Sequence, residues 1–222
     1  MNKKIFFLVI GLGLGNSTRC YAVIQRLKKL SNKIYVVTSG TGEWFFKDKT
    51  EIESLYLNDP IHYESENQKL SIKKTLITIP KIINTIKKNS QDLIKIINEV
   101  KPDVIVTDSV YAFSNIKKFN IPIIALNNAD LTKDYFKILS NKPRSIYGQF
   151  YFVEQLDYLY HKIIPDIVIS PCFLDDDLKK ITGIKKIKRV GPIVRLGIRK
   201  RIKRQNKRGA IMLSGSNFGV EI

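Results

Sequence analysis

Cysteine and histidine are scarce in this chain of 222 residues, with two of each and a single tryptophan. Cys20 and Cys172 cannot build a disulfide framework, and neither stands in a C-x-x-C pair, so a reducing cytoplasm is the expected compartment. Both read as small buried hydrophobes. His62 and His161 lie far apart without acidic partners at ligand spacing, so no zinc site and no metal cofactor is expected. The longest apolar run, Ile5 to Leu14, is ten residues with two glycines. A membrane-spanning helix needs about 20, so an integral membrane protein is excluded. Acidic residues are also short, 20 Asp plus Glu against 38 Lys plus Arg. With 44% hydrophobic and 10% aromatic residues, disordered, collagen-like and coiled-coil classes are excluded, leaving one large domain or one and a half ordinary ones.

Asn2-Lys3-Lys4 before Ile5 to Ile10 imitates a signal peptide, but Arg19 sits where processing would occur and no A-x-A pattern follows. A buried first strand is the better reading. The net charge of +18 is concentrated. Lys179 to Arg208 holds 14 basic residues and no acidic one, leaving 24 against 20 elsewhere. A globular domain with one polybasic stretch fits that pattern; a chromatin-like protein does not.

Short β-branched runs alternate with helical patterns. Strands are expected at residues 4–10, 33–38, 54–57, 104–107, 123–126, 167–170 and 187–190, and helices at 17–30, 72–87, 90–100, 111–119, 144–161 and 173–182. Runs apolar on both faces, separated by helices, predict an α/β fold: a Rossmann-like parallel sheet with helices on both faces, its site at the carboxyl ends of the strands. Residues 196–208 read as a basic linker. Gly209 to Leu213 with Ser214 to Gly219 read as a new strand and glycine-rich loop, the opening of a second domain that is missing.

The first strand enters Gly11-Leu12-Gly13-Leu14-Gly15-Asn16-Ser17-Thr18-Arg19. Glycines allow close backbone approach, and the free N–H groups of a following helix favour an anion or a sugar hydroxyl; a bare glycine turn is the plain alternative. The loop fails as a dinucleotide fingerprint, because Asn16 stands where Gly is required and the second strand ends in Thr38-Ser39-Gly40 without an acid. Asp108 ends a strand where it can face this loop, or else caps a helix from Val110 onward. Asn127 and Asn128 end the next strand and suit hydroxyl binding or a turn.

In sequence, the glycine loop with Arg19, the Pro102-Asp103 strand ending at Asp108, the Asn120 to Asn128 block, Val190-Gly191-Pro192-Ile193-Val194-Arg195 and Ser214-Gly215-Ser216 resemble the landmarks of GT-B fold glycosyltransferases. They are most similar to the group related to the N-acetylglucosaminyl transferase of peptidoglycan lipid synthesis. The resemblance implies an acceptor domain over residues 1–195, the linker 196–208, and the start of a donor domain over 209–222. It implies a nucleotide-diphosphate sugar as donor and a lipid-linked or polysaccharide acceptor. Acceptor binding then falls to Gly13, Gly15, Ser17, Arg19, Asn127 and Asn128, and donor binding to Arg195, Ser214, Gly215, Ser216 and Gly219. Relatives commonly carry His at the position of Asn16; Asn cannot take a proton, so either Asp108 acts as the base beside Asn16, or catalysis is weak, or the site only binds.

Asp175-Asp176-Asp177 looks like a metal motif but suits the first turn of a helix, and His161 suits the end of one. Lys73, Lys74, Lys81, Lys87, Lys88 and Lys95 lie among Leu and Ile, a solvated helix face or, with the polybasic stretch, an anionic membrane contact. No nucleic-acid motif accompanies the charge. A non-catalytic subunit working with a separate donor-domain chain is the rival reading.

Overall fold

The computed structural model describes residues 2–61, 65–66, 69–70, 72–111, 114–142, 144–172 and 186–197. A parallel seven-stranded sheet runs in the order β3 (Ser54–Leu57), β2 (Lys33–Thr38), β1 (Lys4–Val9), β6 (Val104–Asp108), β7 (Ile123–Leu126), β8 (Ile167–Pro171), β9 (Ile187–Val190). A two-stranded antiparallel hairpin, β4 (Ser65–Glu66) and β5 (Lys69–Leu70), stands apart from it. Every strand of the large sheet lies within one residue of its expected place.

β1 explains why the sheet needs helices on both sides. Successive side chains of a strand point to opposite faces. Ile5, Phe7 and Val9 join Cys20 and Ile24 of α1 (Leu14–Lys28) and Phe45 and Phe46 of α2 (Thr41–Phe46) in one core. Phe6 and Leu8 join Leu93 and Ile97 of α3 (Ile72–Val100) and Ile116 of a 3-10 helix (Ser114–Phe119) in the other. Each such fully buried side chain contributes about 1.5–3 kcal/mol. The remaining elements are α4 (Ala129–Ile138), α5 (Arg144–Gln149), a π turn (Phe150–Glu154) and α6 (Gln155–Ile163), the last three forming one run.

Several expectations are corrected. α1 begins at Leu14 rather than Ser17, so Gly15 and Asn16 belong to its first turn. The two helices expected over 72–100 are one, passing through Pro80. Asn89 and Ser90 do not break it: both are buried, Asn89 exchanging hydrogen bonds with the backbone of Asp59 (3.1 and 2.9 Å) and Ser90 accepting from Asn115 (3.0 Å). Within the span 111–119, Ser114–Phe119 forms a 3-10 turn rather than an α-helix, and Tyr111 is not helical. α2, α4 and the hairpin were not expected. The helix expected at 173–182, with Asp175 to Asp177, lies outside the described residues.

The chain leaves β1 toward β2 and β3, then returns past β1 to build β6 through β9. The order reverses between β1 and β6, and a crevice opens at the carboxyl ends of strands at such a point.

Candidate functional site

Gly11 follows the end of β1. Its carbonyl accepts from the Thr41 backbone N–H (3.1 Å) and Oγ1 (2.9 Å), tying the loop after β1 to the loop after β2. A Cβ at Gly11 would lie 1.4 Å from the Ser39 carbonyl oxygen, so only glycine fits. Gly13 and Gly15 differ: a Cβ on either meets nothing within 4 Å. Open space lies over them. No side chain caps α1 at Gly13 and no acid stands in its first turn, so the first N–H groups are free to meet a ligand.

Asp108, at the end of β6, faces this loop from across the reversal. It is fully buried, and donors surround it. Asn16 Nδ2 donates to Oδ1 (2.6 Å), Arg19 Nη2 to Oδ1 (2.6 Å) and Arg19 Nε to Oδ2 (2.8 Å), with Ser109 Oγ (3.3 Å) and Cys20 Sγ (3.5 Å) behind them. Arg19 and Asp108 thus form a bidentate pair. Burial works against the Arg19 charge, but the bonds and charge of Asp108 outweigh it and hold the guanidinium protonated more firmly than usual. Burial, then the negative Asp108, pushes the Cys20 thiol well up, which leaves it inert as a nucleophile.

The helix-cap reading of Asp108 does not hold, because it sits in β6 and its carboxylate bonds α1, while Val110 and Tyr111 are not helical. The base reading meets an obstacle in the same geometry, since both oxygens are occupied and no solvent reaches them. Ser109 follows with φ 57°, a left-handed conformation costly for a residue with a side chain, and it accepts from Asn16 Nδ2 (3.1 Å). The amide of Asn16 is fixed by these two bonds, and its Oδ1 has no donor among the described residues. A small cleft continues from Ser109 past Ser39, Asn58, Asp59 and Asn89. Asn58 Oδ1 is buried there without a partner among the described residues.

Asn127 is not open to a ligand as expected. It is buried, its Oδ1 accepting from the Ala129 N–H (2.7 Å) and its Nδ2 donating to Asp157 Oδ2 (3.1 Å), so it starts α4 and ties it to α6. Asn128 is exposed. Asp157 also accepts from Tyr111 Oη (2.7 Å) and pairs with His161 Nδ1 (2.9 Å). His161 thus does more than end a helix: it is 2% exposed, with no partner for Nε2 among the described residues. Burial alone would raise the Asp157 carboxyl, but His161, Tyr111 and Asn127 together hold it below its usual value. Sequence reasoning missed this cluster, whose members come from three elements. Ser17 is fully buried, its Oγ without a partner among the described residues. Arg195 is exposed on the segment after β9 that runs beside α1, where Arg26 Nη1 donates to the Val194 carbonyl (2.8 Å). Ser214, Gly215, Ser216 and Gly219 lie outside the described residues. Among the described residues no group of three His, Cys, Asp or Glu is placed to hold a metal, and no helix is long and apolar enough to cross a membrane.

With this geometry in hand, comparisons with known proteins converge. The family model described as Glycosyl transferase family 1 matches residues 3–144. An uncharacterized glycosyltransferase of Methanosarcina mazei is 26% identical over 206 residues, covering 86% of this chain and 51% of that protein. The chain thus spans about half the length of this relative. Among solved structures, UGT73P12 of Glycyrrhiza uralensis, complexed with glycyrrhetinic acid 3-O-monoglucuronide, aligns at TM-score 0.56 and 13% identity over 86% of this chain and 48% of that one. A UDP-GlcNAc 2-epimerase of Neisseria meningitidis bound to UDP-GlcNAc aligns at 0.50 and 14% over 83% and 45%. These likenesses establish the Rossmann-like fold, and the family match groups the chain with glycosyl transferases.

Proposed function

The chain belongs to glycosyl transferase family 1, and from that premise we propose that it is the acceptor-binding half of a glycosyltransferase that moves a sugar from a nucleotide diphosphate to a lipid-linked or polysaccharide acceptor. One observation carries this reading: the uncapped start of α1, with Gly13 and Gly15 bordering open space, meets the Asn16, Arg19 and Asp108 cluster at the reversal of strand order. The acceptor hydroxyl approaches Asn16, donating to the free Oδ1. Its oxygen attacks the anomeric carbon as the bond to the diphosphate oxygen breaks, the diphosphate leaves with that electron pair, and the hydroxyl proton, which Asn16 cannot take, passes to solvent water. Asp108 fixes the Asn16 amide and the Arg19 fork, a positioning role better suited to its enclosed carboxylate than proton transfer. The domain division at 195 and 208 and the donor role of Arg195, Ser214, Gly215, Ser216 and Gly219 belong to the same proposal, as does electrostatic attachment of the 179–208 stretch to anionic lipid.

The non-catalytic alternative is favoured by one feature, the absence of a titratable side chain at Asn16, and the same experiment separates the two. With a donor-binding half supplied, Asn16→Ala should lower kcat roughly 100-fold and Asn16→His should keep or raise it with a new pH dependence, as expected of a base positioned by hydrogen bonding. Asp108→Asn should lower turnover and stability together without abolishing a pH-independent rate. Identical turnover in all three variants removes Asn16 and Asp108 from the reaction and leaves the binding-subunit reading.

A further inference from the structure

The run from α5 through the π turn to α6 carries an apolar face that nothing covers among the described residues. Tyr147, Tyr151, Leu156, Leu159 and Ile163 are all exposed, Leu156 by 58% and Ile163 by 63%. The π turn aligns them. On an unbroken α-helix, at about 100° per residue, Leu156, Leu159 and Ile163 would lie about 120–180° around from Tyr147; the one extra residue taken up by a π turn brings all three to within about 80°. The turn thus converts scattered positions into one stripe.

What surrounds the stripe indicates its partner. Phe136 of α4 stacks on Phe150 (centroids 3.5 Å, 6° apart), and Tyr147 stacks with Tyr151 (6.3 Å, 20°), so the aromatic end is rigid. Lys137 and Lys162 are exposed on the same helices, and Lys133 and Lys142 place their ammonium groups over the rings of Tyr158 (4.0 Å) and Phe136 (5.5 Å). The neighbouring acids are largely engaged, Asp134 with Arg189 (2.8 Å) and Asp157 with His161. Tyrosines and aliphatic tips on one helical run, with Lys162 on that run and Lys133, Lys137 and Lys142 on or just after the adjoining α4, are the composition that suits the boundary between water and anionic lipid. The stripe also lies on the same side of the sheet as α3, since Tyr160 and Ile164 pack into the core that Leu93 and Ile97 fill. The α3 residues Ile77 and Ile83 are exposed there too, beside Lys81 and Lys87.

We propose that the face formed by Tyr147, Tyr151, Leu156, Leu159 and Ile163 inserts into the surface of an anionic membrane and turns the α3 side of the sheet toward the lipid. This rests on the membrane contact proposed above and adds to it a defined apolar anchor, whose binding outlasts the screening of charge.

The test uses the full chain on vesicles of mixed phosphatidylcholine and phosphatidylglycerol. Leu159→Trp should shift its emission to the blue and be quenched by brominated lipid. Trp44, exposed on α2 on the opposite side of the sheet, should not be quenched in the unmodified chain. The combined variant Tyr151→Ser, Leu156→Ser, Leu159→Ser, Ile163→Ser should bind roughly 100-fold more weakly. It should also lose the binding that the unmodified chain retains at about 0.5 M salt, where charge is screened beyond a few ångströms. A bound but unquenched Leu159→Trp chain overturns the stripe while leaving the membrane reading standing. No binding by the unmodified chain even at low salt overturns both. A dimer in sedimentation that the serine variant breaks, with vesicle binding unaltered, assigns the face to a second copy of the chain instead.

Discussion

A carboxylate withdrawn from water is stable only among donors, and Asp108 and Asp157 meet that need in different ways. Asp108 has a permanent cation in Arg19. Asp157 depends on the neutral donors Tyr111 and Asn127 and on His161. Because these hold its folded value below the ordinary one of about 3.9, the stability it contributes is complete above about pH 4 and is lost as the pH falls through the depressed value. Asp157→Asn should therefore be less stable than the parent by about 1–3 kcal/mol at neutral pH, with the gap narrowing in acid. Urea unfolding at a series of pH values reads this directly; a gap independent of pH would refute it. The two clusters also differ in legibility. Asp108 and Asn16 could be brought together from sequence because each follows a recognisable strand and neighbouring strands end on one edge. Asp157 could be joined only to His161, four residues on along the same helix and overlooked in the sequence, since Tyr111 and Asn127 converge on it only once α6 has packed over the ends of β6 and β7.

At the level of elements, the central strands β1, β2, β6 and β7 were legible because both faces of the sheet are buried there, so each is a dense apolar run that polar flanks delimit, while the edge strands β3 and β9 showed as short apolar-containing segments at the expected spacing. The elements missed were short, or carried their signal in tertiary contacts. Thr41–Phe46 is too brief for a periodic pattern, and its start depends on Gly40 at φ 50°. The polar stretch Lys87 to Ser90 reads as a helix break, and only the burial of Asn89 and Ser90 reveals one long helix. The first loop shows what sequence leaves ambiguous, for its glycines look equivalent and are not. Gly11→Ala must drive a methyl into the Ser39 carbonyl and should cost more than about 3 kcal/mol or prevent folding, as overpacking against backbone does. Gly13→Ala meets open space and should leave the melting temperature within about 2 °C while weakening acceptor binding, the effect being within the range of a surface substitution. Thermal melts paired with acceptor titration decide it, and equal destabilisation by both substitutions would remove the argument that Gly13 is kept for a ligand.

For the molecule as a whole, the charge is less free than composition suggests. Of the 14 basic residues from Lys179 to Arg208, Arg189 is buried against Asp130 (2.9 Å) and Asp134 (2.8 Å), and Lys186 donates to the carbonyls of Ile163 (3.2 Å) and Pro165 (2.8 Å). Those two tie β9 to α4 and to the turn before β8 rather than serving a surface. The site is likewise one-sided. Asn16, Arg19, Asp108 and Ser109 stand on the carboxyl edge of a single sheet, while the matched relative is about twice as long as the span shared with it. Glycosyl transfer requires the acceptor oxygen and the anomeric carbon to be held at about 3–3.5 Å in aligned geometry, and effective molarity is forfeited when one reactant is left to diffuse. The 222-residue chain by itself should therefore bind acceptor but transfer sugar at no more than the background rate, and addition of a donor-binding half should raise the rate by orders of magnitude. Product formation by the purified chain alone, followed by mass spectrometry with a labelled nucleotide sugar, would show that this one sheet edge can hold both reactants.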